Sequence, residues 1–183
     1  MVKIDNLGTE KRNEKTMRLD SLSTLEILKI MNEEDQNVLK TINEHLDDIE
    51  KVIAAAIESY NKGGRIIYIG AGTSGRMGLM DAVEVVPTFN SERFVGLIAG
   101  GEHAFVRAVE GAEDSKELCV EDLKNLDFNN NDLLIGIAAS GRTPYVIGGI
   151  EYAKQIGAKT ACVVCNFNSE IGKLVDLPFA VPA

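Results

Sequence analysis

The sequence predicts an α/β sandwich built on a five-stranded parallel sheet. Five short apolar runs, at 65–69, 94–99, 133–139, 160–165 and 178–181, alternate with segments of helical periodicity at 77–86, 103–110, 115–126, 144–156 and, more weakly, 169–175. The runs are nearly continuous in apolar residues, the pattern of parallel strands covered on both faces by crossover helices. The first four end in glycine-rich or polar stretches, Gly70–Gly75, Gly100–Glu102, Ser140–Thr143 and Asn166–Ser169. In open parallel sheets, ligands bind beyond those carboxyl ends.

Before the first strand lie an arm and helices. Residues 1 to about 20 are polar and aperiodic, and Leu7-Gly8-Thr9-Glu10-Lys11-Arg12-Asn13 reads as an extended arm, by itself a loose terminus. Ser23-Thr24-Leu25-Glu26 fits a capping box that starts a short helix through about Met31. A longer helix is expected from Glu34 to Tyr60, where Val38, Ile42, Leu46, Ile49, Ile53, Ile57 and Tyr60 form one stripe, and Lys62-Gly63-Gly64 stops it.

The first strand empties into Gly70-Ala71-Gly72-Thr73-Ser74-Gly75-Arg76, and an apolar-periodic segment follows from Met77. At such a junction the first backbone N–H groups of the helix have no partners and carry partial positive charge, so phosphate is stabilised there. Thr73 and Ser74 can cap the helix or donate to the anion. The third strand ends in Ser140-Gly141-Arg142-Thr143-Pro144, with Thr143 suited to the N-cap and Pro144 to the first helical position. Gly70, Gly72 and Gly75 also spell a dinucleotide-binding glycine pattern, but that site wants an acidic residue closing the second strand, where Ile98-Ala99-Gly100-Gly101 stands. Two hydroxyl-bearing loops facing one crevice fit a compact sugar phosphate better.

Composition narrows the class. The 183 residues are enough for one domain with a full core and no need of disulfides or metals. A net charge of −9 argues against nucleic acid, whose phosphate backbone demands a Lys/Arg surplus. No apolar run approaches the roughly 20 residues of a membrane span. Three cysteines and a polar N-terminus without a signal-peptide pattern predict reduced thiols in the cytoplasm. Cys162 and Cys165 sit in an apolar run without a second pair, which reads as core packing; His45 and His103 lack ligand spacing. No metal and no cofactor is expected.

Two carboxylates stand out. Glu84, in Ala82-Val83-Glu84-Val85-Val86-Pro87, is either a buried group with a raised pKa able to give up a proton near neutral pH or a glutamate on the helix's solvated face, with Asp81 its rival. Glu113 precedes a helix start, where a carboxylate also complements the dipole.

The motifs taken together resemble a known family. Thr9-Glu10-x-Arg12-Asn13, Leu22 to Glu26, Asn32-Glu33-Glu34-Asp35, Tyr68 to Arg76, Gly96 to Gly101, Ala108 to Asp114 and Gly136 to Tyr145 are similar to the N-acetylmuramic acid 6-phosphate etherases. The resemblance implies a sugar isomerase (SIS) domain, an αβα sandwich that is usually a homodimer. It further implies cleavage of the lactyl ether of N-acetylmuramic acid 6-phosphate to N-acetylglucosamine 6-phosphate and D-lactate during cell-wall recycling. Carried over by motif, Glu84 and Glu113 match the catalytic glutamates, and Ser74, Ser140 and Thr143 match phosphate-binding positions, with Gly72, Thr73 and Gly141 beside them. Two loops depart from the family: Val85-Val86-Pro87 replaces Cys-Pro-Pro, and Cys165-Asn166-Phe167-Asn168-Ser169 replaces Cys-Asn-Pro-Gly-Ser.

Family members also continue past the fifth strand with a Ser/Thr-rich loop and further helices, whereas this sequence stops at Ala183. The expectation is a fragment or a short form that turns over poorly and leaves an apolar sheet face uncovered. Residues 1–33 are expected as arm and short helix, and 34–183 as the SIS domain. The rival class is a noncatalytic sugar-phosphate sensor of the glucokinase regulatory protein type, which needs neither glutamate. An SIS transcription regulator would want a basic DNA-binding segment that 34–60 does not supply.

Overall fold

The computed structural model describes residues 8–181. The first seven residues of the expected arm, and Pro182-Ala183, lie outside them. From Gly8 the arm runs through three short 3-10 turns and is tied down rather than loose. Asn13 Nδ2 donates to Glu34 Oε2 at 2.7 Å, and Lys15 Nζ lies 2.9 Å from Glu33 and 2.8 Å from Glu34.

Helix α1 spans Thr24–Glu44 and α2 spans Leu46–Asn61. The capping box forms as expected: Glu26 N–H donates to Ser23 Oγ, and Ser23 N–H to Glu26 Oε2. The division falls at His45, not between Met31 and Glu34. Asn32-Glu33-Glu34-Asp35 contains no glycine or proline, so nothing there stops the helix. At His45 the backbone leaves helical geometry (φ −122°, ψ 24°), and α2 restarts with Asp47 and Asp48 in its first turn, where negative charge suits the dipole. α2 buries Val52, Ala55 and Ala56 on the sheet, while α1 keeps Leu25, Leu28, Met31 and Leu39 exposed.

The remaining elements are β1 (Ile66–Gly70), α3 (Gly72–Phe89), β2 (Phe94–Ile98), α4 (His103–Val106), α5 (Lys116–Asn125), β3 (Leu133–Ala138), α6 (Pro144–Gln155), β4 (Lys159–Val164), α7 (Glu170–Leu174) and β5 (Leu177–Ala180). All five strands are parallel, in the order β2-β1-β3-β4-β5. Each lies within a residue of its expected limits. The helix after β1 is longer than its periodicity suggested, starting inside the glycine loop and running through Pro87 to a left-handed Asn90. The helix expected at 103–110 is only a single turn, because Arg107 is extended and Gly111 takes a positive φ.

Two apolar layers sandwich the sheet. On one face Ile67, Ile69, Leu134, Ala138, Cys162 and Val164 pack with Cys119 and Leu123 of α5 and Tyr145, Val146 and Ile150 of α6. α6 comes so close to β3 that a Cβ on Gly136 would lie 2.6 Å from Val146. On the other face α2 and α3 cover Ile66, Tyr68, Phe94, Leu133 and Ile135 incompletely, leaving between them an apolar hollow of about 620 Å³. Among the described residues no helix is long and apolar enough to cross a membrane.

Candidate active site

Strand order creates the crevice. The connection after β1 passes through α3 on one face toward β2, and the connection after β3 passes through α6 on the opposite face toward β4. β1 and β3 are neighbours, with Gly70 opposite Ile137. Their loops therefore separate at the carboxyl edge and leave a cleft, the topological switch point at which such sheets hold ligands. Strands lie about 4.8 Å apart, so Gly70–Gly75 and Ser140–Thr143, some 70 residues apart in the chain, leave the sheet at neighbouring positions on the same edge.

The β1 loop is a tight turn. A Cβ on Gly75 would stand 2.7 Å from both the Gly70 carbonyl oxygen and Ile98 Cγ1, and Gly72 holds φ +54°. The N-cap of α3 is Ala71, with no side-chain cap, so the expected capping by Thr73 or Ser74 does not occur; both lie in the first turn. Gly75 N–H closes the first helical bond to Ala71, so the N–H groups before it lie ahead of the helical ladder. Thr143 is the N-cap of α6 and Pro144 its first residue, as expected, but the Thr143 hydroxyl makes no cap bond. Among the described residues the hydroxyls of Thr73, Ser74, Ser140 and Thr143 make no hydrogen bond to protein. Four disengaged hydroxyls and two helix N-termini thus lie at the carboxyl ends of β1 and β3, groups of the kind that can donate to an anion.

The β3 loop is braced from the loop after β4. Asn166, 7 % exposed, donates through Nδ2 to the carbonyl oxygens of Ala139 and Ser140, each at 3.3 Å. Its Oδ1 accepts from Gly8 N–H at 2.7 Å, which anchors the arm to the rim of the cleft. Ile171 N–H donates to the Gly141 oxygen at 2.9 Å, and Gly141 sits at φ +68° with Ser169 where its Cβ would be. Sequence reasoning noted Asn166 only as a member of a strand-end loop. An amide-bearing residue directly after the apolar run to Cys165 was the available signal.

The carboxylates part company. Glu113, on a 3-10 turn after Gly111, lines a cleft of about 230 Å³ together with Ala71, Gly72 and Arg76. Arg76, also missed in the sequence, donates to the carbonyl oxygens of Phe105 and Ala104 at 2.9 and 2.8 Å, fixing that wall. Glu84 lies on the exposed side of α3, twelve residues past Gly72, and Asp81 lines the apolar hollow over Tyr68. The cysteines are packing residues: Cys119 and Cys162 are buried in the core, and burial pushes the Cys162 thiol up to about 11.

Comparison with known proteins gives the family and the fold. Residues 48–154 match the family model described as the glucokinase regulatory protein N-terminal SIS domain. The chain is 57 % identical to N-acetylmuramic acid 6-phosphate etherase 2 of Enterococcus faecalis over 98 % of its own length and 62 % of that protein's. It is 55 % identical to the N-acetylmuramic acid 6-phosphate etherase of Bacillus cereus, over 95 % and 60 % of the two lengths. It thus spans about three fifths of the length of these relatives. A phosphoheptose isomerase from Francisella tularensis shares the fold with a TM-score of 0.71, at 20 % identity and covering 88 % of this chain and 87 % of that one.

Proposed function

Because the chain belongs to the family of the glucokinase regulatory protein N-terminal SIS domain, we propose that its switch-point crevice binds a phosphorylated amino sugar and serves lactyl ether cleavage. Identity of 55–57 % to etherases over nearly the whole chain carries the reading. Phosphate is held by the first-turn N–H groups at Gly72 and by Thr73, Ser74, Ser140 and Thr143, with Gly141 shaping the loop.

The substrate is N-acetylmuramic acid 6-phosphate in its open-chain form. Its aldehyde at C1 acidifies the C2 proton. Glu113 removes that proton, the electron pair forms the C2–C3 double bond, and the C3–O bond to lactate breaks. Glu84 gives a proton to the leaving lactate oxygen and then takes one from the water that adds at C3, while Glu113 returns a proton to C2, yielding N-acetylglucosamine 6-phosphate and D-lactate. Two carboxylates in opposite protonation states suffice, since the carbonyl itself makes the proton acidic.

The test is incubation with N-acetylmuramic acid 6-phosphate in heavy water. Lactate release with deuterium at C2 supports elimination; lactate without label points to direct displacement of the ether. A second reading, a noncatalytic sugar-phosphate sensor, is favoured by the description of the matched family. Tight binding of N-acetylglucosamine 6-phosphate with no lactate released, by this chain or by one extended to the length of its relatives, would select it.

A further inference from the structure

Arg76 carries a charge that no carboxylate neutralises. Its Nε donates to the Phe105 oxygen at 2.9 Å and its Nη2 to the Ala104 oxygen at 2.8 Å, and none of the ion pairs among the described residues includes it. Arg65, by contrast, lies 2.8 Å from the Asp132 carboxylate. The two bonds of Arg76 occupy one edge of its planar guanidinium. The end-on edge, one N–H on Nη1 and one on Nη2, makes no hydrogen bond among the described residues, and it is a fork that matches a carboxylate through two parallel bonds. Because the other edge is tied to backbone, that fork is held in place before any ligand arrives.

The surroundings call for such a group. Arg76 shares the cleft of about 230 Å³ with Gly72 and Glu113 and is its only basic side chain among the described residues, whereas Glu110 and Glu113 are acidic. In the elimination Glu113 meets C2, and C3, bonded to C2, carries the lactyl ether. The carboxyl carbon of the lactyl group is three bonds from C3, under about 4 Å away. A sugar with C2 at Glu113 therefore brings a second anion into a small cleft already lined by two carboxylates, in a chain of net charge −9. Arg76 lies four residues after Gly72, one turn or about 6 Å along the same face of α3. That spacing suits a ligand with a phosphate at the first turn and a carboxylate farther along.

We propose that Arg76 determines specificity: its end-on fork receives the lactyl carboxylate, so that the crevice selects amino sugar phosphates bearing a 3-O-lactyl group over those without one. The inference rests on the etherase reading for the position of C2 at Glu113, and on the guanidinium geometry for the contact. It also gives turnover a direction, since N-acetylglucosamine 6-phosphate has no carboxylate for Arg76 and leaves more readily than the substrate.

The probes are N-acetylmuramitol 6-phosphate and N-acetylglucosaminitol 6-phosphate, alditols that differ only in the lactyl group and lack the aldehyde, so that neither undergoes elimination. In calorimetric titration the wild-type chain should bind the lactyl alditol roughly 10- to 100-fold more tightly, and converting its carboxylate to a carboxamide should remove most of that preference. Arg76→Gln should bind the two alditols alike. A role confined to fixing the wall at Ala104 and Phe105 would weaken both ligands equally and leave their ratio unchanged. A ratio unchanged in Arg76→Gln, a carboxamide bound as tightly as the carboxylate, or a wild-type preference below about threefold would overturn the assignment; should Arg76→Gln not fold, the carboxamide comparison in the wild-type chain still decides. Lactate release from N-acetylmuramic acid 6-phosphate is read separately. Release without a preference between the alditols overturns the role of Arg76 alone, whereas a carboxylate preference that Arg76→Gln abolishes, without any release, upholds that role and defeats the etherase reading. If neither alditol binds, both fall.

Discussion

Replacing Asn166 by alanine should loosen the crevice without dismantling the sheet. Asn166 makes four hydrogen bonds with different prospects after the change, the longest from Nδ2 to the exposed Thr9 hydroxyl at 3.5 Å. Ala139 loses one donor but keeps Cys165 N–H at 2.9 Å, so it stays satisfied. The Ser140 oxygen loses its side-chain donor, and Gly8 N–H loses its acceptor at 2.7 Å. One short bond and three long ones, of which the Ala139 and Thr9 bonds cost little, sum to a loss of about 2 kcal/mol in unfolding free energy. Freeing the β3 loop should also weaken N-acetylglucosamine 6-phosphate binding about fivefold to tenfold, because the loop must be ordered again when the ligand binds. Asn166→Asp should be worse on both counts: it keeps the acceptor for Gly8 but sets a carboxylate against two carbonyl oxygens beside the proposed phosphate site. Urea unfolding followed by circular dichroism and calorimetric titration with the sugar phosphate measure the two effects. An alanine variant within about 0.5 kcal/mol of wild type, with unchanged affinity, would refute the bracing role.

Ser140→Ala and Thr143→Ala should leave unfolding midpoints nearly unchanged, because neither hydroxyl is engaged within the protein, yet each should weaken sugar-phosphate binding roughly tenfold in titration. Asp132→Ala should cost about 3–5 kcal/mol in urea unfolding: Asp132, 1 % exposed, accepts from Arg65 Nη2 and from the Arg65 backbone, both at 2.8 Å, and from Asn129 N–H at 3.1 Å. Burial raises the Cys162 thiol to about 11, so the native state holds a proton that the unfolded chain releases from about pH 9. Stability from this group should be complete below pH 9 and should fall by about 2–3 kcal/mol as pH rises toward 11; in Cys162→Ala, urea titrations across that window should show a correspondingly smaller fall.

Local features of this fold were readable from local sequence. A strand covered on both faces is apolar residue after residue, so the five strands appear directly in the chain, and Ser23 and Glu26 mark a helix start because both partners of the capping box lie within one turn. Boundaries failed where a local signal was weak: Asn32 to Asp35 looked like a break but lacks a residue that enforces one, and His45, which carries the break, has no strong preference. The hydroxyls were visible because a strand, a glycine turn and a helix start are contiguous.

What the chain could not disclose is which distant segments meet. The order β2-β1-β3-β4-β5 puts the loops after β1 and β3 side by side and the equally glycine-rich Gly100-Gly101 at the edge strand. Asn166 matters because folding brings Gly8 and Ala139 to its amide, and Arg76 because folding brings Ala104 to its guanidinium. Glu84 and Glu113 read alike as acidic residues beside helices, yet one faces the cleft and the other stands about 18 Å down α3. Periodicity and capping act within a few residues and leave their mark on the sequence, whereas strand pairing and loop bracing join residues far apart in the chain and take their positions only when the sheet is assembled.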